Sequence, residues 1–412
     1  MPKKTHRDLI VGLDIGTSKI AVLVGEVNPS NELEIIGFGS HPSNGLKRGV
    51  VVNIESTVHS MQRAIEEAEL MAGCEIHSAY TGIAGSHIRS LNSHGIVAIR
   101  DREVKQPDID RVIDAAKAVA IPADQQILHV LPQEFIIDLQ DGVREPIGMA
   151  GVRLEAKVHI VTGAVSAAQN IAKCVKKCGV EVSDIILEQL ASSHAVLTDD
   201  EKELGVCMID IGGGTTDIAI FTQGAIRHTA VLPIAGDHVT NDIAVALRTP
   251  TKHAEEIKLK YASVMPDTID PNETIQVPSI AKRPPRQIHR KSIAQVCYAR
   301  YAELFALILS ELRRSGFEDS LVSGIVITGG ASKIDGLVEL AESIFNVPVR
   351  IGMPHNISGL KEIRDNPIYA TGVGLLLYGL QQRELNKNFE LKGGSSFKSL
   401  LKRMKQWFNG NF

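Results

Sequence analysis

The sequence predicts an α/β chain of two lobes built on a duplicated strand–turn–strand unit, with an attachment segment at its end. Three observations carry this. Residues 9–24 run apolar, then Asp14-Ile15-Gly16-Thr17-Ser18-Lys19, then apolar again, and residues 206–221 repeat that plan around Asp210-Ile211-Gly212-Gly213-Gly214-Thr215-Thr216-Asp217. A third apolar run, 324–328, ends in Gly329-Gly330-Ala331-Ser332 before helical spacing at Ile334, Leu337 and Leu340. Past Gln382 the composition becomes basic and aromatic.

The bulk numbers bound the answer. With 412 residues, 44% hydrophobic and 22% charged, the chain has apolar material for more than one core. Disordered, collagen-like and disulfide-scaffold classes are excluded. No stretch reaches the ~18 uncharged apolar residues of a membrane-crossing helix, and residues 1–8 carry no apolar leader core. Five cysteines lack metal-site spacing; Cys174 and Cys178 lie one helical turn apart, with no second Cys or His pair. A reduced, cytosolic chain is expected. Residues 384–412 hold six Lys/Arg against two Glu, a net of +4, leaving −8 on residues 1–383 of a chain whose total is −4. An acidic body does not suit nucleic acid.

Each repeated segment reads as a hairpin of buried strands with a Gly/Thr turn. Glycines there let backbone N–H groups face an anion with no Cβ in the way. The hydroxyls of Thr17, Ser18, Thr215 and Thr216 add donors and Lys19 a point charge. Asp14, Asp210 and Asp217 are the few carboxylates a hydrated Mg²⁺ takes, Asp14 and Asp210 holding it through water. One such turn is common; two, 196 residues apart between Asp14 and Asp210, suggest lobes closing on one phosphate chain. The alternative is two unrelated hairpins. The P-loop and dinucleotide glycine motifs are absent. The Thr-Gly-Gly strand end before a helix offers a helix N-terminus to a ligand, although alone it is a generic turn.

In this order the three segments resemble the actin-like ATPase superfamily. The resemblance implies a duplicated ribonuclease H-like fold with a nucleotide cleft between the lobes, a small α/β insertion in the first lobe and, in this chain, a C-terminal amphipathic helix. It implies ATP and Mg²⁺ as cofactors. Nucleotide contacts carry over to Asp14, Gly16, Thr17, Ser18, Lys19, Asp210, Gly212, Gly213, Gly214, Thr215, Thr216, Gly236, Gly329, Gly330 and Ala331. Glu255 and Lys258, in Ala254-Glu255-Glu256-Ile257-Lys258, match the residues that reach ribose and adenine; they read equally as an exposed charged helix. Leu187-Glu188-Gln189-Leu190-Ala191-Ser192-Ser193 matches the first connecting helix and puts Glu188 where relatives orient a water; Asp217 is the other candidate for that role. Ala370-Thr371-Gly372-Val373-Gly374-Leu375 resembles the second connecting helix.

The resemblance sharpens to the bacterial cell division FtsA family. Among the segments carrying it are Leu128-His129-Val130-Leu131-Pro132-Gln133-Glu134-Phe135, Gly151-Val152-Arg153-Leu154-Glu155-Ala156-Lys157-Val158-His159 and Lys282-Arg283-Pro284-Pro285-Arg286. Ile109, Val112, Ile113 and Ala116 behind Pro107-Asp108 predict an amphipathic helix flanked by strand-like runs at 95–99, 126–131 and 134–139. This is the family's inserted subdomain, which serves contacts between protomers and with later division proteins. The domains expected are a first-lobe core at 1–83 and 164–195, the insertion at 84–163, and a second lobe at 196–360 with a subdivision at about 229–305. A returning helix at 361–383, a linker at 384–395 and a terminal helix at 396–412 complete the chain.

The cluster Lys282, Arg283, Arg286, Arg290, Lys291 has no interleaved aromatics and reads as a solvated loop. The helix after it carries an apolar stripe at Ile293, Val296, Leu304, Ile308 and Leu312. The resemblance has this lobe receive the apolar, acidic C-terminal peptide of FtsZ, with Arg300 and Glu303 facing it; the two also stand at pairing distance on a helix surface.

Beyond the Gly393-Gly394-Ser395-Ser396 tether, Phe397, Leu400, Leu401, Met404, Trp407 and Phe408 share one helical face, with Lys398, Lys402, Arg403 and Lys405 on the remainder. At ~1.5 Å per residue the stretch spans under ~20 Å, too short for a ~30 Å hydrocarbon core, so it lies in the headgroup plane of an anionic membrane surface. Four such cations contribute at most ~4 kcal/mol before ordering costs. Attachment is therefore reversible for one chain and strong for a polymer. The alternative is a terminal helix docked on the protein itself.

The expectation is an ATP-binding scaffold, at most a weak ATPase and not a dedicated enzyme. It polymerises with itself on the cytoplasmic face of the membrane at the septum, tethers FtsZ and recruits later division proteins. The alternatives are a small-molecule kinase of the same superfold, for which no substrate domain is visible, and a pilus-assembly actin-like protein.

Overall fold

The computed structural model describes residues 8–279 and 284–391, with side chains to residue 385. Two sheets carry the lobes. From one edge, the first runs Ser358–Gly359, Leu33–Pro42, Lys19–Val27, Leu9–Ile15, Ser78–Ile83, Glu181–Leu187. The second runs Ala225–Leu232, Thr216–Thr222, Val206–Ile211, Ile325–Thr328, Val349–Ile351. Setting aside the two-residue strand Ser358–Gly359, both have three antiparallel strands followed by two parallel ones. The sequence repeat is a repeat of topology.

These strands are apolar on both faces because both faces are covered. In the first sheet Val11, Leu13 and Ile15 pack with Ala64 and Ala68 of the helix Ile54–Ala72, while Ile10 and Leu23 turn the other way onto Val373 and Leu376 of the helix Ala370–Leu391. In the second sheet Cys207, Ile209 and Ile211 join the core under the helices Gly236–Leu247, Arg290–Ser315 and Leu337–Phe345. Val206 and Met208 enter the core that also holds Ile10 and Val373. Both sheets therefore turn one face toward the same pair of helices, Glu188–Val196 and Ala370–Leu391. Each fully buried Ile or Leu there contributes about 1.5–3 kcal/mol.

The helix Ile54–Ala72 starts where Asn53 accepts from the Ser56 amide and stops at Gly73, in the left-handed region at φ +63. The helix Arg290–Ser315 is long and apolar enough to cross a membrane by composition alone. It is instead the core helix of the second lobe, with Ile293, Cys297, Tyr301, Leu304, Phe305, Ile308 and Leu312 buried; Val296 is only partly covered.

Between Ser78–Ile83 and the helix Val165–Lys177 a separate sheet is inserted, ordered Arg89–Ala98, Arg153–Ala164, Gln125–Ile137, Gln140–Val143. The expected helix is Gln106–Lys117, with Val112 and Ala116 buried against Leu154, Val158 and Ile160. The runs expected at 126–131 and 134–139 are joined in one continuous strand, Gln125–Ile137, which ends two residues short of the second run's end. Its register slips past Gln133, next to Pro132, which has no N–H to give a ladder, so the strand bulges instead of ending.

This insertion also touches the second lobe. Ser90 Oγ donates to the Thr229 carbonyl (2.9 Å) and Gln133 Nε2 to that of Ile226 (2.9 Å). His159 bonds both Asn92 Oδ1 (2.7 Å) and Thr229 Oγ1 (3.0 Å).

The helix from Ala370 runs to Leu391, through the first part of the segment expected as linker, since no Gly or Pro stands between Gly379 and Gly393. Its far end is tied to the first strand by Arg383, which bonds Asp8 and the Leu9 carbonyl. The proposed foot at residues 396–412 and Lys282 and Arg283 lie outside the described residues.

Candidate nucleotide site

The two glycine turns meet. A Cβ on Gly213 would overlap the Ser18 hydroxyl, and one on Gly214 would stand 2.5 Å from Thr17 Oγ1 and 3.0 Å from the Arg48 Cα. Side chains at either position would hold the lobes apart, so these glycines are required by close approach. Ser18 Oγ also donates across the gap to Asp237 Oδ1 (3.3 Å).

Behind the turns sit four carboxylates. Asp14 lies at the end of the first strand and pairs with Lys19 (3.2 Å), whose ammonium also stands 5.0 Å from the centre of the Tyr369 ring. Asp210 accepts from Ser192 (2.6 Å) and Thr371 (3.2 Å), one hydroxyl from each connecting helix. Asp217 accepts from Thr215 (2.9 Å), and its other oxygen is buried without a partner. Glu188 opens the first connecting helix beside Gly82, where a Cβ would meet its Cγ at 3.0 Å.

Burial, then the charges of Asp14, Asp217 and Asp210, pushes the Glu188 carboxyl well above the usual range. Burial and Asp210 push Asp217 up to about 8. Asp210 is raised by burial, against the pull of the Ser192 hydrogen bond. Lys19 alone does not offset this much negative charge, which is a setting for a dication. Among the described residues no three His, Cys, Asp or Glu side chains lie close enough to grip an ion directly. A hydrated Mg²⁺ fits: it would rest on Asp14 and Asp210 through its waters, with the unpartnered Asp217 oxygen as a further acceptor.

The hydroxyls divide differently from expectation. Thr215 donates to Asp217 and Thr216 to the Ile234 carbonyl (2.7 Å), so both are spent inside the second lobe. Thr17 accepts from the Gly49 amide (2.9 Å) and keeps its own hydrogen to give. The turns therefore offer a phosphate the hydroxyl of Thr17, and that of Ser18 when it leaves Asp237, together with backbone amides.

The remaining expected residues gather to one side. Lys258 Nζ bonds Glu255 (2.7 Å), Thr240 Oγ1 (2.9 Å) and the Gly236 carbonyl (3.2 Å); Glu255 and Thr240 also bond each other. A Cβ on Gly236 would lie 3.3 Å from Ala331 Cβ and 3.6 Å from Lys258 Nζ. The Ala331 carbonyl is held by the Tyr301 hydroxyl (2.7 Å). Gly329, at φ +89, passes so close to Asp210 and the Ile211 carbonyl that a side chain would strike both, and Gly330 follows it. Glu255, Lys258, Gly236 and Ala331 thus form one wall, next to the carboxylates.

Arg300 and Glu303 lie elsewhere, on the helix Arg290–Ser315. Arg300 is clamped by Asp242 (2.5 and 2.9 Å) and Glu303 (2.5 Å), so the pairing alternative occurs, with Asp242 as an additional partner.

Sequence reasoning missed the strap Arg48-Gly49, the hydroxyls of Ser192 and Thr371, and Asp237. Ser192 and Thr371 stood inside recognised segments, and Ser192 lies one turn beyond Glu188. For Asp237 the only signal was its place after Gly236.

Comparison with known proteins agrees with this architecture. Residues 207–374 match the family model "Cell division protein FtsA", and residues 85–162 the "SHS2 domain inserted in FTSA". The chain is 65% identical over 410 residues to Cell division protein FtsA of Pseudomonas aeruginosa, covering 98% of each. It is 46% identical over 421 residues to that of Escherichia coli K12, covering 100% of each. Among solved structures, the PilM-PilN type IV pilus biogenesis complex matches with a TM-score of 0.66 at 16% identity, covering 90% of this chain and 98% of that one. MreB 5 of Spiroplasma citri bound to AMPPNP matches with a TM-score of 0.56 at 17% identity, covering 93% and 98%. At such identities these two share the fold alone. Near-complete coverage by division-protein relatives, the matching insertion and the duplicated actin-like topology place this chain in the FtsA family of cell division proteins.

Proposed function

We propose that this chain binds ATP with Mg²⁺ between its lobes and works as a membrane-tethered, polymerising adaptor for FtsZ on the cytoplasmic face of the septal membrane. It would also recruit later division proteins. The observation that carries the nucleotide reading is the meeting of Thr17 and Ser18 with Gly213 and Gly214, flanked by the wall of Gly236, Glu255, Lys258 and Ala331. Phosphates would lie between the turns and the nucleoside against that wall. The Spiroplasma MreB with bound AMPPNP is a nucleotide protein of the same fold and supports the reading by analogy.

Bound Mg²⁺ would neutralise the terminal phosphates. The chain's own part is positional: Asp14 and Asp210 orient the ion's waters, and Glu188 or Asp217 orients an attacking water. On this reading the chain is a scaffold with weak hydrolysis at most, its residues positioning rather than attacking. Asp210 is also bonded to both connecting helices, so ligand charge there biases their packing and lobe closure.

The membrane and FtsZ parts rest on the pattern of residues 396–412, on family membership, and on Arg300 and Glu303 in the second lobe. Co-pelleting of the full chain and of a chain ending at Glu390 with anionic liposomes in Mg-ATP, an FtsZ-tail peptide as tracer, tests them. The full chain should carry the tracer down and the truncation should not. If both stay in solution, the terminal segment is no membrane foot.

A further inference from the structure

Asp237 has no role in the nucleotide binding proposed above, yet it stands between the two turns. Its amide donates to the Gly213 carbonyl (2.8 Å), next to the Gly236 amide on the Gly212 carbonyl (3.1 Å), so its backbone is fixed to the second turn. Its carboxylate crosses to the first turn and accepts the Ser18 hydroxyl at 3.3 Å. Oδ1 stands 3.4 Å from where a Gly213 Cβ would be, in the slot between the turns. A carboxylate oxygen taking a hydroxyl at the lip of a phosphate site does what a phosphate oxygen would do there. Burial raises its carboxyl, and Lys258 and Ser18 pull it back, so the charge is tolerated rather than well solvated.

We propose that the Asp237 carboxylate is a built-in phosphate surrogate. It latches the lobes through Ser18 when the cleft holds no nucleotide, and the terminal phosphates of a nucleoside triphosphate must displace it. This rests on the nucleotide reading above and adds to it: Asp237 sets how strongly the cleft favours phosphate-bearing ligands. A unit charge a few ångströms from a phosphate oxygen costs enough, even at an effective dielectric constant of ~20, that its removal favours ATP over adenosine by at least ~tenfold.

The test uses the full chain and the Asp237→Asn variant, with calorimetric binding of adenosine, ADP and ATP in Mg²⁺ at fixed ionic strength. The expected result is adenosine affinity unchanged, ATP affinity raised at least ~tenfold and ADP between them. In the absence of nucleotide, small-angle scattering should report a larger radius of gyration for Asp237→Ala, which removes the acceptor of the Ser18 hydroxyl, than for the parent. Ser18→Ala cuts the latch from the other side, should open the nucleotide-free chain likewise, and should open it no further when combined with Asp237→Ala. If the Asn variant melts at a markedly lower temperature, Asp237→Ser, which also removes the charge, takes its place in the affinity measurement. An unchanged or lowered ATP-to-adenosine ratio in a parent that binds ATP overturns the surrogate and leaves the nucleotide reading standing. A parent that binds none of the three ligands overturns both.

Discussion

Asp210 and Asp217 face each other directly across the second hairpin, whereas the corresponding pair in the first hairpin is Asp14 and Ala21. The repeat is thus symmetric in backbone and asymmetric in charge. The second lobe carries two carboxylates at one rung, close enough for Asp210 to raise Asp217, and the first carries one, neutralised by Lys19.

Asp217 keeps its proton to about pH 8 in the folded chain, against an ordinary value of 3.8. Between those values the folded state binds the extra proton, so this group lowers stability as the pH rises through that window. Asp217→Asn removes the dependence. In thermal melts without nucleotide or Mg²⁺, the melting temperature of the variant should gain on that of the parent from pH 5 to pH 8. A constant offset between the two would contradict the shift.

Buried histidines act in the opposite sense at lower pH. His129, His159 and His194 are each held down to about 4 by burial, from 6.5. His129 Nε2 accepts from the Leu187 amide, which requires it unprotonated. Between 6.5 and 4 the unfolded chain binds more protons, so stability falls as the pH falls, by up to ~1.4 kcal/mol per unit per histidine. His159→Gln should be less stable than the parent at pH 7.5, with the deficit shrinking by pH 5. Urea titration at both values measures it.

The connecting helices touch at Gly374, where a Cβ would overlap the Ala191 carbonyl. That neighbour is backbone and cannot swing aside. Gly374→Ala should cost about 1–3 kcal/mol or more in urea titration, and Gly374→Leu should prevent the lobes from docking. A stability equal to the parent's would mean that the helices separate freely.

Arg300 is held by Asp242 and Glu303, so an acidic peptide must compete for it. Asp242→Asn should strengthen binding of an FtsZ-tail peptide several-fold, and Arg300→Glu should weaken it at least ~tenfold, the range expected for a charged anchor. Fluorescence anisotropy with labelled peptide reads both. Equal affinities in all three proteins would remove Arg300 from the interface.

Local pattern made much of this legible. The hairpins, the strand before Gly329 and the inserted helix were readable because burial on one or both faces writes itself into residue periodicity, and a turn into glycine. The bulge joining 126–131 to 134–139 was read as a break, because Pro132 signals an end when neighbouring strands are unseen. The helix through Leu391 was read as linker, because polar composition does not separate an exposed helix from coil.

What the sequence by itself determined is the duplicated α/β plan, the identity of the phosphate-turn residues and the basic aromatic character of the end. Those properties are carried by residues close in the chain. Only the tertiary structure decided that Ser192 and Thr371 converge on Asp210, that Arg48-Gly49 strap the turns, that Thr215 and Thr216 spend their hydroxyls within their own lobe, and that Ser18 meets Asp237 from 219 positions away. A hydrogen bond is set by distances of about 3 Å, and chain positions this far apart take such distances only once both sheets have closed on their shared helices.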